Sequence, residues 1–156
     1  MITKFQTETA LRQMTEHNDT VRIAILGSRT YENKRKIRDM IFALKTKFGN
    51  SLEIVSGGCQ TGADKYAKKY ALEMNVQYKE FNPAHTVKNL YSAMPESYYQ
   101  KPYHVSQLFH KNELIAKYCD LMIVFIDSTS SSKGSHHAVK MAEKHSKRVV
   151  IITEKA

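Results

Sequence analysis

Three segments of the chain combine small residues with groups that hold anions. They are Gly27, Ser28 and Arg29, then Ser56, Gly57 and Gly58, then Lys133, Gly134 and Ser135. Each stands ahead of a helical pattern. A helix start offers N–H groups without intrahelical acceptors and a partial positive charge, which suits a phosphate. Arg29 adds a guanidinium that can grip an oxyanion through two parallel hydrogen bonds. Glycines at 57 and 58 let the backbone approach a ligand closely, so a Cβ at Gly58 is expected to take up ligand space. Lys133 and Ser135 contribute an ammonium and a hydroxyl. The stretch from Gly57 to Gly62 reads GGCQTG. It is neither the dinucleotide fingerprint nor a GK[ST] phosphate loop.

Three carboxylates stand near these segments or near strand ends. Asp64 follows Thr61 by three residues, the spacing of a helix capping box. Its other reading is a carboxylate that lies near a ribose or orders the phosphate loop. Asp127 and Glu80 each fall near the end of a strand pattern. A carboxylate beside an anomeric carbon can stabilise oxocarbenium character or activate water, so both are candidate catalytic groups for cleaving an N-glycosidic bond. Asp127 equally suits the first residue of a loop. Cys59 has no histidine near it in sequence and reads as a small loop residue. Cys119 falls on the apolar side of a helix end. The seven histidines show neither HExxH nor Cys/His ligand spacing. No metal and no other cofactor are expected.

Loops like these need strands that end where helices begin. Strand patterns cover 21–26, 52–56, 76–81, 121–126 and 148–153. Helical patterns begin near Asn33, after Gly58, near Val105 and at Gly134, the last running to about His145. Apolar positions recur at helical spacing in Ile37, Met40, Ile41, Leu44 and Phe48, and again in Ala63, Ala67, Tyr70, Ala71 and Met74. A third face joins Val105, Leu108, Phe109, Asn112, Ile115 and Cys119. The run 121–126 is apolar throughout, as expected of a strand covered on both faces. This alternation predicts an α/β fold: a single Rossmann-like domain with a mainly parallel five-stranded sheet and helices on both faces. In strand order 3-2-1-4-5, ligand would bind where the order reverses, between the first and fourth strands. The loops 27–30, 56–61 and 127–135 would meet there.

Residues 1–20 read as a polar lead-in with a helix-like stretch at 9–17, and 21–156 as the domain. The connection 82–104 breaks the rhythm with Pro83, Pro95 and Pro102. It holds Tyr91, Tyr98, Tyr99 and Tyr103, with Lys88 and Lys101. Such a segment can stack on a base, form a lid, pack as an excursion or contact a second subunit.

The 156 residues suit one domain, and 42% hydrophobic with 25% charged residues is ordinary globular composition. Two cysteines make no disulfide framework. No apolar run approaches the ~18 residues of a membrane helix, so no membrane partner is expected. The polar start lacks a signal-peptide core, which suggests a cytoplasmic location. Twenty-four basic against fifteen acidic residues give +9. That balance favours an anionic partner, or simply solvated lysines.

Several motifs follow one another in order: Ile25-Leu-Gly-Ser-Arg29, Val55-Ser-Gly-Gly-Cys-Gln-Thr-Gly-Ala-Asp64, Lys111-Asn112, Cys119-Asp120 ahead of an apolar strand, and Ser132-Lys-Gly-Ser135. The succession resembles the YspA-like, cpYpsA-related branch of the SLOG superfamily. That superfamily includes the lonely guy phosphoribohydrolases and the Rossmann domain of the DNA-processing protein A. The resemblance spans about 21–153, and GGxxxGAD is its most specific piece. It implies a Rossmann-like fold that binds or cleaves nucleotide-derived ligands, in some relatives as a sensor. By resemblance, Gly27, Ser28, Arg29, Gly57, Gly58, Asp64, Asn112, Gly134 and Ser135 fall on ligand-site motifs. Lonely guy enzymes carry GGxGTxxE, whose Glu takes part in N-glycosidic cleavage. Here the matching stretch runs from Lys133 to Ala138, and Ala138 stands in place of that Glu. The lonely guy chemistry therefore does not carry over.

The leading expectation is a binding site for a nucleotide or nucleoside-phosphate derivative, with phosphate on the glycine loops and Arg29 as counter-charge. The alternatives are an N-glycosidic hydrolase using Asp127 or Glu80, and a nucleic-acid binder encouraged by the net charge. A homo-oligomer is left open.

Overall fold

The computed structural model describes residues 20–82, 90–95, 97, 105–129 and 132–154, with 105–108 by backbone alone. The helix expected at 9–17 lies outside the described residues. So does most of the 82–104 connection, including Lys88, Tyr98, Tyr99, Lys101 and Tyr103.

The described strands are β1 (Val21–Gly27), β2 (Leu52–Ser56), β3 (Gln77–Glu80), β4 (Leu121–Asp127) and β5 (Arg148–Glu154). Between them run α1 (Lys34–Phe48), α2 (Gly62–Glu73), α3 (Val105–Tyr118) and α4 (Lys133–Lys144), with a 3-10 turn at Gly49–Ser51. The sheet has the order β3-β2-β1-β4-β5, and every neighbouring pair is parallel. This is the α/β architecture that the alternation predicts. Ile23 pairs with Ile54 on one side and with Leu121 on the other. All residues of β2 and β4 are buried. Their apolar composition follows from cover on both faces.

Alternate strand residues feed two cores. Ile23, Ile25 and Ile54 pack against α1 and α2, through Ile37, Ile41, Ala63 and Ala67 among others. Ala24, Leu26, Val55 and Val124 pack against α3 and α4, through Ile115, Ala116, Ala138 and Ala142. Asn33 caps α1 by accepting a 3.2 Å bond from the Lys36 amide. The apolar faces of α1 and α2 are buried as expected, with Met40 and Met74 only partly so.

Helix α3 buries Asn112, Ile115 and Cys119 as its sequence reading expects and departs from it at Phe109. Phe109 is 42% exposed, while Lys111 is 9% exposed and Ala116 fully covered. The helix is turned so that Lys111, rather than Phe109, faces inward near its middle.

Part of the long connection folds back on the open edge of β3. Glu80 donates its amide to Tyr91 O at 2.9 Å, and Ala93 donates to Glu80 O at 2.9 Å. Met94 is buried in the second core. These contacts cover the sheet edge, so this part of the connection is a packed excursion. Among the described residues no helix is long and apolar enough to cross a membrane.

Candidate functional site

Strands β1 and β4 are neighbours, yet the chain leaves them on opposite faces: β1 leads to α1 and β4 to α4. The divergence opens a crevice at their C-terminal ends. A cavity of about 400 Å³ occupies it, a size that suits a nucleotide-sized ligand. The expected convergence of three loops is found there, together with Lys111 and Asn112 from the middle of α3, the latter expected at the site by resemblance.

Ser28 ties these loops together. Its hydroxyl lies 2.5 Å from Ser132 Oγ and accepts the Asp127 amide at 3.0 Å. Its amide donates to Phe125 O at 2.9 Å, and its carbonyl accepts the Ala63 amide at 3.3 Å. Ser28 is itself only 4% exposed. It therefore holds the cleft wall in place, and Gly27, Arg29 and Thr30 follow its course along the cavity.

Two buried groups of opposite charge, close enough to feel each other's field but not hydrogen-bonded, form the floor. Asp64 is 5% exposed and Lys111 9% exposed. Burial pushes the Asp64 carboxyl above its ordinary range. The Lys111 charge and the amides of Cys59, Gly57 and Gly27 pull it back. Burial draws Lys111 below its ordinary value, against the fields of Asp64 and Cys59, while Arg29 adds to the lowering. Gly57 makes room for both groups. A Cβ there would stand 2.7 Å from Asp64 Oδ2 and 2.9 Å from Lys111 Nζ. Thr61 makes no side-chain cap bond to α2. The capping-box reading of Asp64 is thus not what is seen; the Asp64 carboxylate turns instead to the loop amides.

The third wall is the start of α4. The first amides of a helix have no intrahelical acceptor, and here Lys133, Gly134 and Ser135 border the cavity. Asn112 fixes this turn. Its Nδ2 lies 3.2 Å from Gly134 O, to which it donates, and 3.1 Å from His137 Nδ1. Arg29 and Lys133 are exposed at the rim. Among the described residues the wall thus carries the cations of Arg29, Lys111 and Lys133 against the single acid Asp64. A cleft of that balance attracts an anion.

The other expected residues stand just behind the wall. Ser56 accepts the Gly58 amide at 3.2 Å and pairs with Tyr78 Oη at 2.5 Å. Gly58 has φ +72, and a Cβ on it would meet Glu80 Oε2 at 2.6 Å and Asn82 Cβ at 2.9 Å. The obstacle to a side chain at this glycine is therefore the protein itself. Gly58→Ala should cost ~1–3 kcal/mol of stability in urea unfolding, with ligand affinity of the folded protein little changed. Glu80 is 1% exposed. It accepts from Lys68 Nζ at 3.3 Å and Tyr78 Oη at 3.2 Å. Asp127 accepts from the Thr129 amide at 2.9 Å, Thr129 Oγ1 at 2.6 Å and Thr30 Oγ1 at 2.7 Å. It organises the loop that it begins.

Lys111 and Cys59 border the cavity although neither was singled out as a site residue. A signal for Lys111 was present: it stands in the Lys111-Asn112 pair of the motif succession, beside the apolar positions of the helix. Cys119 is fully buried, as its position suggested, and burial pushes its thiol up to about 12.

Sheet order and cleft define a Rossmann-like α/β protein with a ligand-sized site at its topological switch point. The chain belongs to the SLOG superfamily, in its YspA- and cpYpsA-related branch. Residues 54–156 match the circularly permutated YpsA SLOG family, and residues 21–86 match the YspA, cpYpsA-related SLOG family. No curated protein matches the sequence. Among solved structures, the chain is similar to the molybdenum cofactor binding protein from Rippkaea orientalis. The TM-score is 0.62 at 15% identity, covering 87% of this chain and 78% of that one. It is also similar to the molybdenum cofactor carrier protein MCP from Chlamydomonas reinhardtii. There the TM-score is 0.60 at 17% identity, covering 86% and 78%. At these identities the likeness shows the fold.

Proposed function

We propose that the chain binds a small phosphate-bearing ligand, a nucleotide or a nucleotide-like cofactor, in the cleft between β1 and β4. One observation carries this reading. Lys111 as a residue is nine-tenths buried, its side chain borders the cavity, and its ammonium makes no hydrogen bond among the described residues. A buried ammonium without a hydrogen-bond acceptor is costly, and an oxyanion in the cleft would supply one. The start of α4 offers backbone amides to the same anion, and Arg29 closes over it from the rim. The two solved neighbours, a binding protein and a carrier protein of the molybdenum cofactor, support adding that cofactor to the ligands tested.

Arg29→Ala should weaken binding of a nucleoside monophosphate at least tenfold in calorimetric titration. Loss of a charge-assisted contact is worth ~1.5–3 kcal/mol. Arg29 is exposed, so the thermal unfolding midpoint should hardly move. Unchanged affinity in the folded variant would remove Arg29 from the site. In this account both carboxylates proposed for catalysis serve structure, so the protein binds without cleaving. Free base released from a nucleoside monophosphate by the wild type, and abolished in Asp127→Asn, would make the cleft a glycosidic active site instead. Oligonucleotide binding that outcompetes the mononucleotide and falls steeply with salt would favour the nucleic-acid reading.

A further inference from the structure

Cys59 is the half-buried thiol on the cleft wall, at the turn that leads into α2. Its amide donates to Asp64 Oδ2 at 3.4 Å, and its sulfur lies 3.8 Å from Thr61 Oγ1. Lys111 is near enough for its charge to interact with the Cys59 sulfur and with Arg29. The Lys111 side chain, nine-tenths buried, bordering the cavity and without a hydrogen bond among the described residues, is an independent sign that an anion enters beside this thiol. Cys119 has no exposed surface. The fold therefore presents one of its two thiols, and presents it inside an anion-attracting cleft.

We propose that Cys59 is a modification site, at which anionic low-molecular-weight disulfides exchange with the thiol and close the cleft. The reagent's carboxylate docks on Lys111 and Arg29, which brings its S–S bond to the sulfur. Cys59 releases its proton to solvent. The sulfur electron pair attacks one sulfur of the disulfide, the S–S bond breaks, and the departing thiolate takes up a proton. The balance is one protein thiol and one disulfide giving one mixed disulfide and one small thiol, with no other oxidant. The attached group then fills the space that the phosphate-bearing ligand would take. The inference rests on the charge and shape of the same cleft, but the chemistry can be read without any bound nucleotide.

The test compares two reagents on the whole purified chain: the dianionic aromatic disulfide DTNB and the neutral disulfide 2,2′-dithiodipyridine. In the native protein one thiol per chain should react with DTNB, and peptide mapping should place the adduct on Cys59. Cys59→Ser should remove this reaction and leave the melting temperature unchanged. Lys111→Gln should slow DTNB about tenfold relative to the neutral reagent, the low end of electrostatic steering. Arg29→Ala should shift the same ratio in the same direction, and serves if Lys111→Gln folds poorly. Glutathione disulfide should give the mixed disulfide at Cys59 by mass spectrometry. Inorganic phosphate should protect against DTNB more than added chloride of equal ionic strength does. The proposal is overturned if native Cys59 does not react, if Cys119 reacts first, or if both variants leave the DTNB-to-neutral ratio unchanged. Reaction with the charge preference but without phosphate protection would keep the modification site and contradict the phosphate reading of the cleft.

Discussion

Lys111→Met should abolish binding of a phosphate-bearing ligand in a protein that stays folded. Methionine keeps the unbranched length of the buried stem and removes only the charge. Asp64 then loses a favourable field but keeps the amides of Gly27, Gly57 and Cys59. The ligand loses a charge-assisted bond inside a partly dry cleft, where truncation typically costs ~2–5 kcal/mol. Affinity should fall at least thirtyfold by calorimetry, with circular dichroism unchanged. The pH dependence has a definite sign. Burial holds Lys111 below the ordinary lysine value of 10.5. An anion prefers the charged form, so affinity is full below that lowered value and is lost as pH rises through it, earlier than an ordinary lysine would allow. Lys111→Arg should flatten the alkaline decline, because arginine stays charged. A decline identical in the Lys111→Arg variant would assign it to another group.

Gly62→Ala should severely damage the fold. Gly62 opens α2 at φ +71, and a Cβ there would stand 2.1 Å from Ser28 O and 2.7 Å from Arg29 Cα. Both contacts are backbone, so no side chain can swing away. The strained φ alone costs ~1–2 kcal/mol. Displacing the Ser28 loop would also disturb the bonds that Ser28 makes to Ser132 and Asp127. A loss of more than ~3 kcal/mol is expected, lowering the melting temperature by roughly 10 °C. Gly134→Ala is the control. Nothing lies within 4 Å of its Cβ position, so this variant should fold normally. An equal melting temperature for Gly62→Ala and wild type would contradict the packing described at the base of the cleft.

Much of this arrangement was legible in the sequence. Short apolar runs marked the strands because the sheet is covered on both faces, and the glycine loops marked where strands give way to helices. Together they located the crevice. The charges on its floor were harder to read. Lys111 lies on a helix, away from every glycine loop, and only the turn of α3 brings it under the cleft. Asp64 had the spacing of a cap, but the amides of Cys59, Gly57 and Gly27 take its carboxylate, and only the last of these is far away in sequence. Asp127 and Glu80 sit near strand ends as expected. Their hydrogen bonds to Thr30, Thr129, Lys68 and Tyr78 depend on which way each side chain turns, and spacing does not encode that.

The most direct test of the account is an amide NMR titration of the whole chain with a nucleoside monophosphate and, separately, with its parent nucleoside. The account predicts saturable shifts at Gly27–Thr30 and at Lys133–Ser135 for the phosphorylated compound, at least tenfold weaker for the nucleoside and absent in Lys111→Met. Shifts confined to exposed lysines elsewhere, or equal affinity for the nucleoside, would contradict it.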